Sequence, residues 1–77
     1  MNKFAFRTDK DILYISLNGR IDASNATDVE NNINEIRKEH QGMHTVLDAD
    51  TLDYISSAGL RIMLRLRKEE PGLAMIN

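Results

Sequence analysis

The chain has 77 residues, 42% of them hydrophobic and 29% charged, with a net charge of −2. This is one small domain or part of one; its charge is too balanced for a disordered segment and it lacks the basic surplus of a nucleic-acid binder. No apolar run exceeds four residues and cysteine is absent, which excludes a membrane-spanning helix, a disulfide framework, a thiolate metal site and a cysteine nucleophile.

Met1-Asn2-Lys3-Phe4 opens no apolar signal segment, and a secreted fold this small is normally stapled by disulfides, so a cytoplasmic protein is expected. A domain of about 60 residues buries only about 60% of its unfolded surface. A large enclosed active site is therefore not expected.

Phe4 and Phe6 alternate with Lys3, Ala5 and Arg7, which predicts a short strand over Lys3–Arg7. Thr8-Asp9-Lys10-Asp11 reads as a turn. The next strand is expected over Ile12–Asn18, with Leu13, Ile15 and Leu17 on one face, and the short link implies an antiparallel hairpin. Asn18-Gly19 is expected to end it. Ala26, Val29, Ile33 and Ile36 then recur at helical spacing, with Ser24 or Asn25 as cap, Arg37 and Lys38 at the negative end of the dipole and Gly42 as the stop. Asn31, Asn32 and Asn34 are poor helix formers, so this helix relies on packing.

A third strand is expected over His44–Ala49, with Val46 and Leu47 as its buried pair, followed by a loop over Asp50–Asp53. A second helix is expected from Ser57 to about Glu69, burying Leu60, Met63, Leu64 and the stem of Arg67, with Ile62 and Leu66 widening the stripe. Pro71-Gly72 ends it, and Leu73–Ile76 reads as a fourth strand. The order ββαβαβ is an α/β fold: a mixed sheet with crossover helices.

Few chemical constellations stand out. Asp48, Asp50 and Asp53 lack the glycine and the terminal glutamate of a calcium loop and read as solvated carboxylates. His40 and His44 have no convergent third ligand for zinc. Ser57 lacks the Gly-x-Ser-x-Gly elbow of a hydrolase, and no glycine-rich nucleotide cradle is present, so neither a catalytic residue nor a cofactor is expected. Arg61, Arg65, Arg67 and Lys68 concentrate positive charge on the second helix, either as a solvated face or as a docking strip for an acidic protein. Ser56-Ser57-Ala58-Gly59 carries more information. One serine suffices to cap the helix, and a small exposed serine at a helix N-terminus also suits a phosphate.

The segments Leu17-Asn18-Gly19-Arg20-Ile21-Asp22-Ala23, Val46-Leu47-Asp48 and Tyr54-Ile55-Ser56-Ser57-Ala58-Gly59-Leu60-Arg61 resemble the anti-sigma factor antagonist family, whose members are stand-alone STAS domains. The resemblance covers essentially the whole chain. It implies a bacterial partner switch in which the unphosphorylated antagonist binds an anti-sigma factor that is also a serine kinase. Phosphorylation releases it and a PP2C-type phosphatase reverses the step. Aligned on Gly59-Leu60, the phosphoacceptor is Ser57, with Ser56 as second choice. The implied partner-binding residues are Gly19, Arg20, Asp22, Ser56, Gly59 and Arg61, with no direct contact to nucleic acid or membrane. Two positions depart from the family pattern: Ser56 replaces an aspartate common before the phosphoacceptor, and Arg20 a glutamate common in the early motif. Family members continue with a helix, a strand and a final helix that this chain lacks, so a truncated domain is expected, either marginally stable alone or self-associated through the uncovered strand Leu73–Ile76. A passive scaffold or small-ligand sensor is the alternative within the same fold.

Overall fold

The computed structural model describes residues 4–77, so Lys3 at the start of the first expected strand lies outside the described residues. The elements are β1 (Ala5–Asp9), β2 (Ile12–Ile21), α1 (Ala26–Lys38), β3 (His44–Ile55), α2 (Ser57–Glu69) and β4 (Ala74–Ile76). The four strands form one mixed sheet in the order β1-β2-β3-β4, with β1 antiparallel to β2 and both crossover pairs, β2–β3 and β3–β4, parallel. The expected α/β order is therefore present.

The first hairpin is tighter than the sequence implies. Thr8 and Asp9 belong to β1, paired with Leu13 and Ile12, and the turn is only Lys10-Asp11. Lys10 adopts φ 56°, the left-handed conformation that a two-residue hairpin turn demands.

Leu13, Ile15 and Leu17 of β2 and Leu47 of β3 point to one face of the sheet. Val29, Ile33 and Ile36 of α1 and Ile62 and Leu66 of α2 close over them in one core. The opposite face carries half-buried Tyr14, Ser16, Val46 and Asp48, and there the Arg7 guanidinium lies 4.0 Å from the centre of the Tyr14 ring.

Three expectations are corrected. First, Asp50–Asp53 is not a loop: β3 continues through it to Ile55, and β2 continues past Gly19 to Ile21. The pairing absorbs two register shifts, at Ser16/Asn18 and at Gly19/Arg20, each adding one residue on β3. The Asp50 amide donates to Asp48 Oδ1 at 3.0 Å, a local bond of the kind that makes aspartate look like a loop former. Second, the inner stripe of α2 is Gly59, Ile62, Met63 and Leu66. Leu60, Leu64 and Arg67 face outward, because the small Gly59 lets α2 rotate its Ile62 side onto the sheet. Third, Thr45 rather than Val46 is the fully buried neighbour of Leu47.

Thr45 is buried because its polar groups are satisfied by Glu70, the residue that ends α2. Glu70 Oε2 accepts from the Thr45 amide at 2.8 Å, and Oε1 accepts from Thr45 Oγ1 and from Arg37 Nη2, each at 3.1 Å. Arg37 also donates to Asn34 Oδ1. One carboxylate thus ties the last turns of both helices to the start of β3. Glu70→Ala leaves Thr45 and Arg37 without this partner and is expected to cost about 1–3 kcal/mol of stability, measured by urea denaturation.

Candidate functional site

The strand ends and the start of α2 meet at one corner. The two register shifts bring Arg20 opposite Tyr54 and Ile21 opposite Ile55, and the Ser56 amide donates to the Ile21 carbonyl at 2.8 Å. This places the Gly19–Asp22 stretch beside the Ser56-Ser57 junction. Gly19 has φ +73°, a conformation that other residues adopt only with strain.

The path beyond β2 is fixed by polar bonds. Asn25, the residue preceding α1, does not cap that helix; its side chain turns back instead. Asn25 Oδ1 accepts from the Asp22 amide at 2.9 Å and Nδ2 donates to the Arg20 carbonyl at 2.8 Å. Asp22 Oδ1 accepts from the Ser24 hydroxyl at 2.6 Å and the Ser24 amide at 3.0 Å. These bonds, the Ser24 hydroxyl first, hold the Asp22 carboxyl below the usual carboxylate range, with a smaller contribution from Arg20, whose Nε is 3.8 Å from Asp22 Oδ2. The Arg20 guanidinium also lies 4.5 Å from the centre of the Tyr54 ring, so Arg20 spans Asp22 and Tyr54 across the corner.

The two serines differ. Ser56 is the N-cap of α2, in extended conformation, and its Oγ accepts from the Gly59 amide at 3.3 Å. Ser57 is the first helical residue and is exposed, and its side chain makes no hydrogen bond among the described residues. Gly59 lies beneath the site, buried. A β-carbon there would stand 2.6 Å from Ile55 Cγ1 and 2.8 Å from Ile21 Cγ2. Arg61 lies farther along α2 on its exposed side, without an ion pair among the described residues.

The corner thus gathers Gly19, Arg20, Asp22, Ser56, Ser57 and Gly59 from separate parts of the sequence. It also recruits Tyr54, which the residue pattern did not single out, and Ser24 and Asn25, which it offered only as caps of the first helix. Asp22 followed two residues later by serine is an Asx-turn signature and is the signal that points to Ser24. Tyr54 gives no such signal, because its pairing with Arg20 depends on the irregular register. Elsewhere, Asp48 is engaged by Asn77 and by the Asp50 amide, which hold its carboxyl below the usual range. Among the described residues no group of three or more His, Asp or Glu side chains is placed to hold a metal ion.

The family model for the STAS domain matches residues 3–70. The chain belongs to the STAS domain family. Such domains are typically binding or regulatory modules. The fold is similar to that of a crystal structure described as "Crystal Structure Analysis of Mglu", with a TM-score of 0.66 and 20% identity. That likeness covers 92% of this chain and 18% of the other, so this STAS domain spans less than a fifth of that protein's length. No curated protein matches the chain significantly.

Two outcomes test the corner of this STAS domain. Gly59→Ala forces the first turn of α2 away from Ile21 and Ile55 and is expected to destabilise by about 1–3 kcal/mol in thermal or urea melts. The Asp22 carboxyl is expected to titrate below the ordinary aspartate value of about 3.9 in an NMR pH titration. Because its value is lowered by folding, its contribution is present at neutral pH and disappears as pH falls through the lowered value. Ser24→Ala should move the midpoint upward.

Proposed function

We propose that this STAS domain is an anti-sigma factor antagonist: it binds an anti-sigma factor that is also a serine kinase, is released by phosphorylation on Ser57, and is restored by a PP2C-type phosphatase. The observation that carries this reading is the division of roles between the two serines. Ser56 is occupied as the cap of α2, whereas Ser57 is exposed and its hydroxyl has no partner among the described residues. Moving the Ser57 hydroxyl into a kinase site dismantles no cap, which favours it over Ser56. The acceptor supplies only a well-placed oxygen, since the kinase provides the base, the metal and the nucleotide.

The same position suits a switch. A phosphate on Ser57 stands at the N-terminus of a 13-residue helix, where the dipole and the free backbone N–H groups favour an anion by about 0.3–1 kcal/mol. The fold therefore tolerates it. At a packed interface the same group, with about −1.5 to −2 charges, must be desolvated or must clash. Every 1.4 kcal/mol or so of that cost weakens binding tenfold.

The docking surface in this reading is Gly19, Arg20, Asp22, Ser56 and Arg61 around Ser57, seated on Gly59. The exposed Tyr54 under Arg20 adds an aromatic–arginine pair of the kind that anchors many interfaces. The domain carries out no chemistry of its own in this scheme and needs no cofactor, nucleic acid or membrane. Its setting is the cytoplasm.

The test is phosphorylation of the full chain by an anti-sigma factor kinase with ATP, followed by phosphopeptide mapping and calorimetry. One phosphate on Ser57 is expected, retained in Ser56→Ala and absent in Ser57→Ala. Ser57→Asp should bind the kinase at least about tenfold more weakly with unchanged circular dichroism. Phosphate found only on Ser56 or Thr51, or equal affinity for both forms, overturns the proposal.

A further inference from the structure

Ser57 heads the outward row of α2. At 100° per residue, Ser57, Arg61, Leu64 and Lys68 fall within about 60° of one another, opposite the buried row of Gly59, Ile62, Met63 and Leu66. Arg61 follows Ser57 by four residues, so the two side chains leave the helix one turn, or about 6 Å, apart along its axis. This spacing is set by the helix itself, independent of what packs beside α2.

The first turn of α2 is left with positive polarity. Four amides at a helix start have no intrahelical acceptor. Here the Ser56 amide donates to the Ile21 carbonyl at 2.8 Å, and the Gly59 amide donates to Ser56 Oγ at 3.3 Å. The amides of Ser57 and Ala58 remain. No acidic residue stands in this turn to meet the dipole, whereas α1 has Asp28 in its own first turn.

The cations around Ser57 sort by their engagements. Arg65 is held by Glu30 through bonds of 2.7 and 3.0 Å. Arg67 and Lys68 lie at least about 15 Å from Ser57 along the axis. The neighbouring strand ends contribute Arg20 and Asp22, which face each other at 3.8 Å, and Asp53, next to Tyr54 on β3. Among the cations of α2, Arg61 alone is one turn from Ser57, and it makes no ion pair among the described residues.

Resting on the reading of Ser57 as phosphoacceptor, we infer that Arg61 is the counter-ion of the phosphorylated state: its guanidinium folds back one turn onto the Ser57 phosphate, beside the free amides of Ser57 and Ala58. In the phosphorylation step, a bond forms between Ser57 Oγ and the γ-phosphorus of ATP. The bond to the ADP oxygen breaks, and the hydroxyl proton passes to the base of the kinase. An anion four residues before a cation is the favoured order on a helix, and a guanidinium pairs two donors with phosphate oxygens. Arg61 also belongs to the docking surface proposed for the unmodified domain. The phosphate therefore withdraws a cation from the partner as well as adding an anion.

The test uses the full chain with phosphoserine incorporated at position 57 during synthesis, so that no kinase is needed. Phosphorus NMR titration is expected to place the second ionisation of the phosphate below its ordinary value of about 6. It should lie lower than in phosphorylated Arg61→Gln by at least about 0.3 pH unit. Arg61→Lys keeps the charge but loses the fork, and should restore part of the difference. Phosphorylation should also raise the melting temperature more in the natural sequence than in Arg61→Gln, whose unmodified form changes only an exposed side chain and should melt as the parent does. Equal titration of the natural and Arg61→Gln phosphoproteins overturns this inference alone, as does a difference that follows Arg20→Gln instead. A kinase that leaves Ser57 unmodified overturns the phosphoacceptor reading and this inference with it.

Discussion

The absence of a side chain at Gly59 sets how closely the first turn of α2 approaches the strand ends. With the helix pressed against Ile21 and Ile55, the Ser56 amide reaches the Ile21 carbonyl and the Ser56 hydroxyl is free to cap the turn. Ser57 is then presented outward as the first helical residue. The same approach turns Ile62, Met63 and Leu66 inward and leaves Leu60 and Leu64 outside. One glycine thus governs both the corner around Ser57 and the face that α2 turns outward.

At its other end α2 is held by different physics. Glu70 accepts hydrogen bonds from Thr45 and Arg37, so the helix is fixed by steric contact at its start and by a shared carboxylate at its finish. A rod of 13 residues, about 20 Å long, is thereby pinned at both ends across the sheet. Arg20, Tyr54 and Ser57, the groups that the proposed docking sets against a partner, are thus carried on rigid elements rather than on a long loop.

What the sequence makes legible follows from local rules. The alternation of Leu13, Ile15 and Leu17, the spacing of Val29, Ile33 and Ile36, and the Pro71-Gly72 stop each act within a few residues, and all locate real elements. The serine pair at the start of α2 and its cap are legible for the same reason. The extension of β3 through Asp50–Asp53 is not, because aspartate favours turns locally and the strand survives there only through long-range pairing with two extra residues. Nor is the orientation of α2: Leu60 and Leu64 are as apolar as Ile62 and Leu66, and only the tight seat of Gly59 decides which pair faces the core. The Arg20–Tyr54 stack depends on that irregular register and is hidden with it.

The strand order also carries a kinetic consequence. Among the strand pairings of the described residues, only the β1–β2 hairpin joins positions close in sequence. Ile12 pairs with His44, and Val46 with Ala74, so each parallel ladder joins positions roughly thirty residues apart. Such pairing gives its stabilisation only after a long segment has been looped and a crossover helix brought onto the sheet. The hairpin is therefore the cheap early structure, and the closure of the chain around α1 onto β3 is the slow event on which the corner bearing Ser57 must wait.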